Sequence, residues 1–348
     1  MRQCTKCGNL CADSVITCDR CGNPMGTASS GSEFVRNYLG FIAMGMILLS
    51  LIPFLGWAIA SNSNFLSAMM LRNILLQFCP TGIIALGVVV ATRIKGPDLS
   101  MGSLMAMTGI IIAASASNGS LFVGIVLAFI VCCFYGLLNG TMISLLNIPS
   151  ALLTLVTAAS MLGAMLLISD YAAIPMSDRI TQSNTLFIIL FVIAAAIAVV
   201  ALAITNRRPT LNKEKKNGVI PKLLDIIGYG LVAIIAGISG VAMLSRAGVA
   251  TASMGTGYEL IIIMVFAAVQ SSKLLKNNLL ALVYGLAVTL ILTVYRTTLI
   301  FLALTVAWQH LVEANMVLLL LCAACAAQGG WRSVLGSNLS ECVEKNSD

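Results

Sequence analysis

Long, unbroken apolar runs separated by short polar stretches dominate this chain from about residue 38 onward. The runs lack the period-two alternation of a membrane barrel strand, and most approach the ~20 residues that cross a bilayer as a helix. Hydrocarbon offers no hydrogen-bond partners, so such runs satisfy their own backbone as helices. Ten spans are predicted: Leu39 to Ala60, Ile74 to Thr92, Met101 to Ala116, Leu121 to Leu138, Ala151 to Ser169, Leu186 to Ile204, Ile226 to Leu244, Leu260 to Val269, Leu279 to Val294 and Trp308 to Ala327. The eighth is short, and "TTLIFLALTVA" before the last reads as a re-entrant piece. Small residues four apart, Gly136/Gly140 and Ala236/Gly240, predict close helix packing. The fold class is therefore an all-α polytopic membrane protein with a small polar head.

Composition and charge sharpen this reading. Of 348 residues, 59% are hydrophobic and 9% charged, against about 25% charged in soluble domains. Lys and Arg collect on the cytoplasmic side of membrane proteins. With ten spans and a cytoplasmic N-terminus, 16 of the 20 cations fall inside, leaving Arg72, Arg179, Arg246 and Arg296 outside. Both termini are thus expected in the cytoplasm. The net charge of +7 then reflects a bias toward an anionic inner leaflet, so the partner it implies is membrane lipid rather than nucleic acid. The first 33 residues lack the apolar core of a signal peptide, so insertion is expected to begin at the first internal span. The predicted organisation is a head over 1–26, a linker over 27–37, a transmembrane domain over 38–330 and a cytoplasmic tail over 331–348.

The head reads "CTKCGNLCADSVITCDRCGNP". Two CxxC pairs, Cys4/Cys7 and Cys18/Cys21, suit a tetrahedral four-thiolate zinc site. Gly8 and Gly22 follow the pairs, where tight turns favour a residue tolerant of positive φ. A closed site of this kind is structural, so a zinc-ribbon-like head is expected, with Cys11 left over. Disulfides would need an oxidising compartment, which a cytoplasmic head lacks. Most of the other cysteines lie in apolar runs and read as packing residues.

Between the second and third spans stands "TRIKGPDLSMGSLMAM". Pro97 stops the preceding helix, and Asp98 or Ser100 can N-cap a new one starting near Met101. Two readings stay open on physical grounds: an ordinary cytoplasmic turn with a capping acid, or a broken helix re-entering the membrane.

"GPDLSMGSLMAMTG", Gly96 to Gly109, resembles the "GIDLSVGS" and "LxALTG" stretch of the membrane permeases of bacterial ABC importers for ribose and other simple sugars. Downstream, "AGISGVAMLSRAG" and "GTGYEL" resemble that family's "GlaGvl…aR" helix and "GTGYELdaIAA" segment, in the same order. The resemblance covers about residues 62 to 328. It implies a homodimeric or paired permease in a bacterial plasma membrane, two cytoplasmic ATPase subunits and an extracytoplasmic substrate-binding protein. It also implies that Gly96, Pro97, Asp98, Ser100, Gly102 and Ser103, with Gly255, Gly257 and Glu259, line or hinge the substrate path.

The chain departs from the family in two places. The Gly-Gly pair expected after "GTGYEL" is missing. The loop that docks the ATPase reads "NRRPTLNKEKKNGVIPK", where only Asn212, Lys213 and Glu214, with Lys215, Lys216, Asn217 and Gly218, stand in the docking position. No GxxxxGK[ST] phosphate loop is present, and one histidine gives no catalytic triad, so the chain is expected to be neither an ATPase nor another enzyme. Asp225, Glu313 and His310 are read as interfacial. The alternative to an importer is a non-transporting protein that uses the same fold, zinc head and basic loop for docking or sensing.

Overall fold

The computed structural model describes residues 2–3, 10–11, 21, 30–61, 63–176, 184–206, 219–271, 275 and 277–328. Ten helices are found among them: α1 Ser30–Ser61, α2 Ala68–Ile94, α3 Met101–Ser117, α4 Leu121–Leu145, α5 Ser150–Ser169, α6 Asn184–Asn206, α7 Val219–Ala247, α8 Tyr258–Gln270, α9 Asn278–Phe301 and α10 Val306–Gln328. Among the described residues, nine regions are long and apolar enough to cross a membrane, the eighth helix counting with the turn that precedes it. The tenth helix, α3, has only 17 residues, so the third predicted span becomes a shorter apolar helix. The chain is a multi-pass helical membrane protein.

Several boundaries move. Helix α1 begins at Ser30, inside the stretch read as linker. Helix α9 runs on to Phe301 and is followed by a turn with Ala303 at positive φ. The predicted re-entrant "TTLIFLALTVA" is therefore the end of α9, a turn and the start of α10. Its Thr297 and Thr298 hydroxyls return to the carbonyls of Thr293 and Val294 four residues back, which lets polar residues continue an apolar helix.

Helices α2, α3, α7 and α8 form the centre, while α1, α4, α5 and α6 leave most of their apolar surface open on the outside. Buried aliphatic residues of α2, α3, α7 and α8 make up most of the core. The predicted small faces are places where helices meet closely. A Cβ on Gly136 would lie 2.5 Å from the Ala233 Cβ, and one on Gly240 would lie 2.5 Å from the Met105 carbonyl oxygen. Without a hydrophobic drive between helices in lipid, such close backbone contact is a main source of cohesion. A polar tie reinforces it: the Ser239 hydroxyl on α7 donates to the carbonyl of Pro80 within α2 (2.8 Å).

Two short antiparallel strand pairs complete the described fold. β1 (Arg2–Gln3) pairs with β2 (Leu10–Cys11). β3 (Ile174–Pro175) pairs with β4 (Val249–Ala250), tying the connection after α5 to the one after α7. Neither pair carries a strand signal long enough to read from sequence.

Candidate functional site

The break between α2 and α3 is held from three sides. Helix α2 closes at Lys95, whose N–H returns to the Ala91 carbonyl. The chain then turns through Gly96 at φ +144°, a conformation that L side chains rarely adopt. A Cβ here would also sit 2.3 Å from the Ser150 hydroxyl at the start of α5. From α7, the Tyr229 hydroxyl donates to the Gly96 carbonyl (3.2 Å). From α5, Thr154 Oγ1 accepts the Leu99 N–H (2.9 Å). From α4, Asn139 Nδ2 donates to Ser100 Oγ (3.2 Å), while its Oδ1 accepts from Thr157 Oγ1 of α5 (2.8 Å).

Asp98 lies at the heart of this knot with no solvent exposure. Its Oδ1 accepts both the N–H (2.9 Å) and the hydroxyl (2.5 Å) of Ser100, and its Oδ2 is buried without a partner. The capping expectation is corrected: Ser100 occupies the N-cap of α3 but makes no side-chain capping bond. Its hydroxyl donates to Asp98 instead, and Asp98 reaches Ser100 rather than the free N–H groups of α3. Asp98 stands in the connection between α2 and α3, outside both helices. Burial pushes its carboxyl up from the ordinary value, and the two Ser100 bonds pull it down. A helix N-terminus stabilises a nearby anion by about 0.3–1 kcal/mol, whereas desolvating an unpaired carboxylate costs several kcal/mol. Burial therefore wins.

The second block of predicted residues meets the first in space. Gly255 ends the turn Ala252–Gly255 and packs backbone to backbone on Gly102. A Cβ on Gly255 would lie 2.1 Å from the Gly102 carbonyl oxygen, and one on Gly102 would lie 2.7 Å from that of Gly255. The N-terminal ends of α3 and α8 thus lie side by side, with buried Tyr258 against Gly102. Ser103 is buried in the same first turn of α3. Gly257 is the N-cap of α8, and Glu259 Oε2 accepts its N–H (2.9 Å), so Glu259, like Asp98, reaches the N-cap residue itself rather than the free N–H groups of the helix.

Other ionisable groups are buried among the helices. Glu313, read as interfacial, is 3% exposed and forms a two-point ion pair with Arg296, including Arg296 Nη2 to Glu313 Oε2 at 2.7 Å. Asp225 is likewise buried. At the end of α2, Arg93 Nη2 donates to the carbonyl of Leu275, between α8 and α9. The break and α8 are therefore joined both at the Gly102–Gly255 contact and through Arg93.

Sequence reading missed Asn139, Thr154, Thr157 and Tyr229. One signal was available for two of them: Thr154 and Thr157, three apart in an otherwise apolar helix, share a face. The proposed docking residues 212–218 lie outside the described residues, as do Cys4, Cys7 and Cys18. Cys21 is described and partly buried. Among the described residues, no group of three or more His, Cys, Asp or Glu side chains could hold a metal ion. The zinc-ribbon head accordingly has no support from the described part of the fold.

Fold and junction together define a multi-pass helical membrane protein with a buried junction between α2 and α3. Known proteins narrow that class. The chain is 29% identical to the inner membrane ABC transporter permease YjfF of Escherichia coli K12 over 147 residues, covering 42% of this chain and 43% of that protein. It is 29% identical to the ribose import permease RbsC of Haemophilus influenzae over 139 residues, 40% of this chain and 41% of that one. These two matches thus span about two fifths of each relative's length. A longer match, 26% identical over 319 residues, covers 81% of this chain and 94% of the galactose/methyl galactoside import permease MglC of Salmonella typhimurium. No protein-family model and no solved structure matches the chain. The similar proteins are transporter permease subunits, which are not enzymes, in keeping with the expectation that this chain is not one.

Proposed function

We propose that this chain is the transmembrane permease subunit of an ABC importer for ribose or a related simple sugar. It would form the translocation path in a bacterial plasma membrane as a homodimer or paired permease, with both termini cytoplasmic. A separate ATPase subunit supplies the energy, and an extracytoplasmic binding protein delivers substrate. The observation that carries the reading is the Gly102–Gly255 contact. The two stretches that resemble sugar permeases, far apart in the chain, pack on one another through backbone that only glycine permits.

In this reading Gly96, Pro97, Asp98, Ser100, Gly102 and Ser103, together with Gly255, Gly257 and Glu259 packed against them, line or hinge the path from one side. Irregular backbone within a membrane protein is tolerated where it is packed in protein or lines a cavity, and transporters place such breaks at their substrate sites. The loop with Asn212, Lys213, Glu214, Lys215, Lys216, Asn217 and Gly218 is the candidate ATPase dock, and Cys4, Cys7, Cys18 and Cys21 would hold a structural zinc. The drifted docking loop and the cysteine head favour one second reading, a non-transporting docking or sensing protein.

Uptake of labelled ribose and galactose in a deletion strain, with and without the restored gene, tests the transport reading. Restored uptake of one of these sugars is expected. Uptake of both that is indifferent to the gene would favour the second reading.

A further inference from the structure

We propose that Asp98 is a proton-binding site, its Oδ2 carrying a proton while the break is packed, so that the knot between α2 and α3 is electrically neutral. The hydrogen bonds around it run one way. The Thr157 hydroxyl donates to Asn139 Oδ1, the Asn139 amide donates to Ser100 Oγ, and the Ser100 hydroxyl and N–H both end on Asp98 Oδ1. Nothing donates to Oδ2, which is fully enclosed. An ionised carboxylate would leave that oxygen charged and without a donor, whereas a neutral acid leaves it only a hydroxyl.

No cation among the described residues hydrogen-bonds either oxygen of Asp98. Helices α3, α4 and α5, which pack around the break, carry no charged residue. On α2, Arg93 donates to the Leu275 carbonyl, and at its end Lys95 gives Asp98 no hydrogen bond, since both Oδ1 bonds come from Ser100 and Oδ2 has none. On α7, Tyr229 donates to the Gly96 carbonyl, and Asp225, one turn earlier, is a further acid rather than a counter-charge. Any transport state that admits water to the break would let Asp98 ionise and release one proton.

Infrared difference spectra of the full-length protein in lipid, wild type against Asp98→Asn with isotope-labelled aspartate, test this. The wild type should show a protonated-carboxyl stretch from neutral into alkaline pH, lost in Asp98→Asn, and that variant should melt no lower than wild type. A carboxylate signal at this residue, a lower melting point for Asp98→Asn at neutral pH, or a signal that depends on sodium or potassium would overturn the proposal. Should Asp98→Asn fail to fold, Ser100→Ala decides. Removing the hydroxyl bonded to Oδ1 shifts the protonated band if it belongs to Asp98, and an unmoved band contradicts the assignment.

Discussion

The Gly102 and Gly255 backbones are so close that a methyl group on either would overlap the other's carbonyl, at 2.7 and 2.1 Å. This contact sets the N-terminal ends of α3 and α8 side by side and turns two separate stretches of sequence into one junction. Gly255→Ala should therefore lower stability by more than the 1–3 kcal/mol usual for an overfilled core, because the obstacle is backbone. Gly163→Ala is the control. Nothing lies within 4 Å of that glycine's Cβ position, so the helix-favouring alanine should be neutral or stabilising by up to about 1 kcal/mol. Melting in detergent measures both.

The Arg296–Glu313 pair gives a second test. Breaking a buried pair by removing one partner costs about 3–5 kcal/mol, because the other charge is left unpaired. Arg296 is 24% exposed, so Arg296→Gln and Glu313→Gln should fall at or below the low end of that range. The double variant Arg296→Met/Glu313→Leu should recover most of the loss, since no charge is stranded. A thermal-shift series of the three variants reads this out.

Asp98 predicts a pH dependence with a definite sign. Its folded value lies above the ordinary one, so the folded chain keeps a proton that the unfolded chain loses above about pH 3.9. Above that point the unfolded state binds fewer protons, and stability falls as pH rises by up to about 1.4 kcal/mol per unit. The fall ends once the folded carboxyl itself ionises. Asp98→Asn should lack this component, so its melting point should gain on wild type as pH increases.

The breaking of α2 was legible in sequence because Gly96 and Pro97 act locally. The α2 helix ends at Ile94 and α3 begins at Met101, as the motif requires. What surrounds the break was not legible, because Tyr229, Thr154 and Asn139 arrive from three other helices and carry no local signature. Capping misled for the same reason: Asp98 and Ser100 are good caps in isolation, but Asn139 holds the Ser100 hydroxyl within a buried network. The pairing of Glu313 was not legible because its partner Arg296 sits on a different helix. Glu259 differs, because its partner Gly257 is only two residues away along the chain.

The cysteine head makes a compositional prediction. Full-length protein should carry about one zinc per chain, as a four-thiolate site requires. A variant with Cys4, Cys7, Cys18 and Cys21 all changed to Ser should carry none while keeping its membrane fold. Elemental analysis of both proteins checks this, and zinc retained by the four-fold variant would remove the assignment.

The permease reading is tested most directly by isolating the tagged protein in mild detergent and measuring the mass and composition of the intact complex. The account predicts a cytoplasmic ATPase subunit co-purifying with this chain in equal numbers. A complex that contains this chain but no ATPase would contradict it.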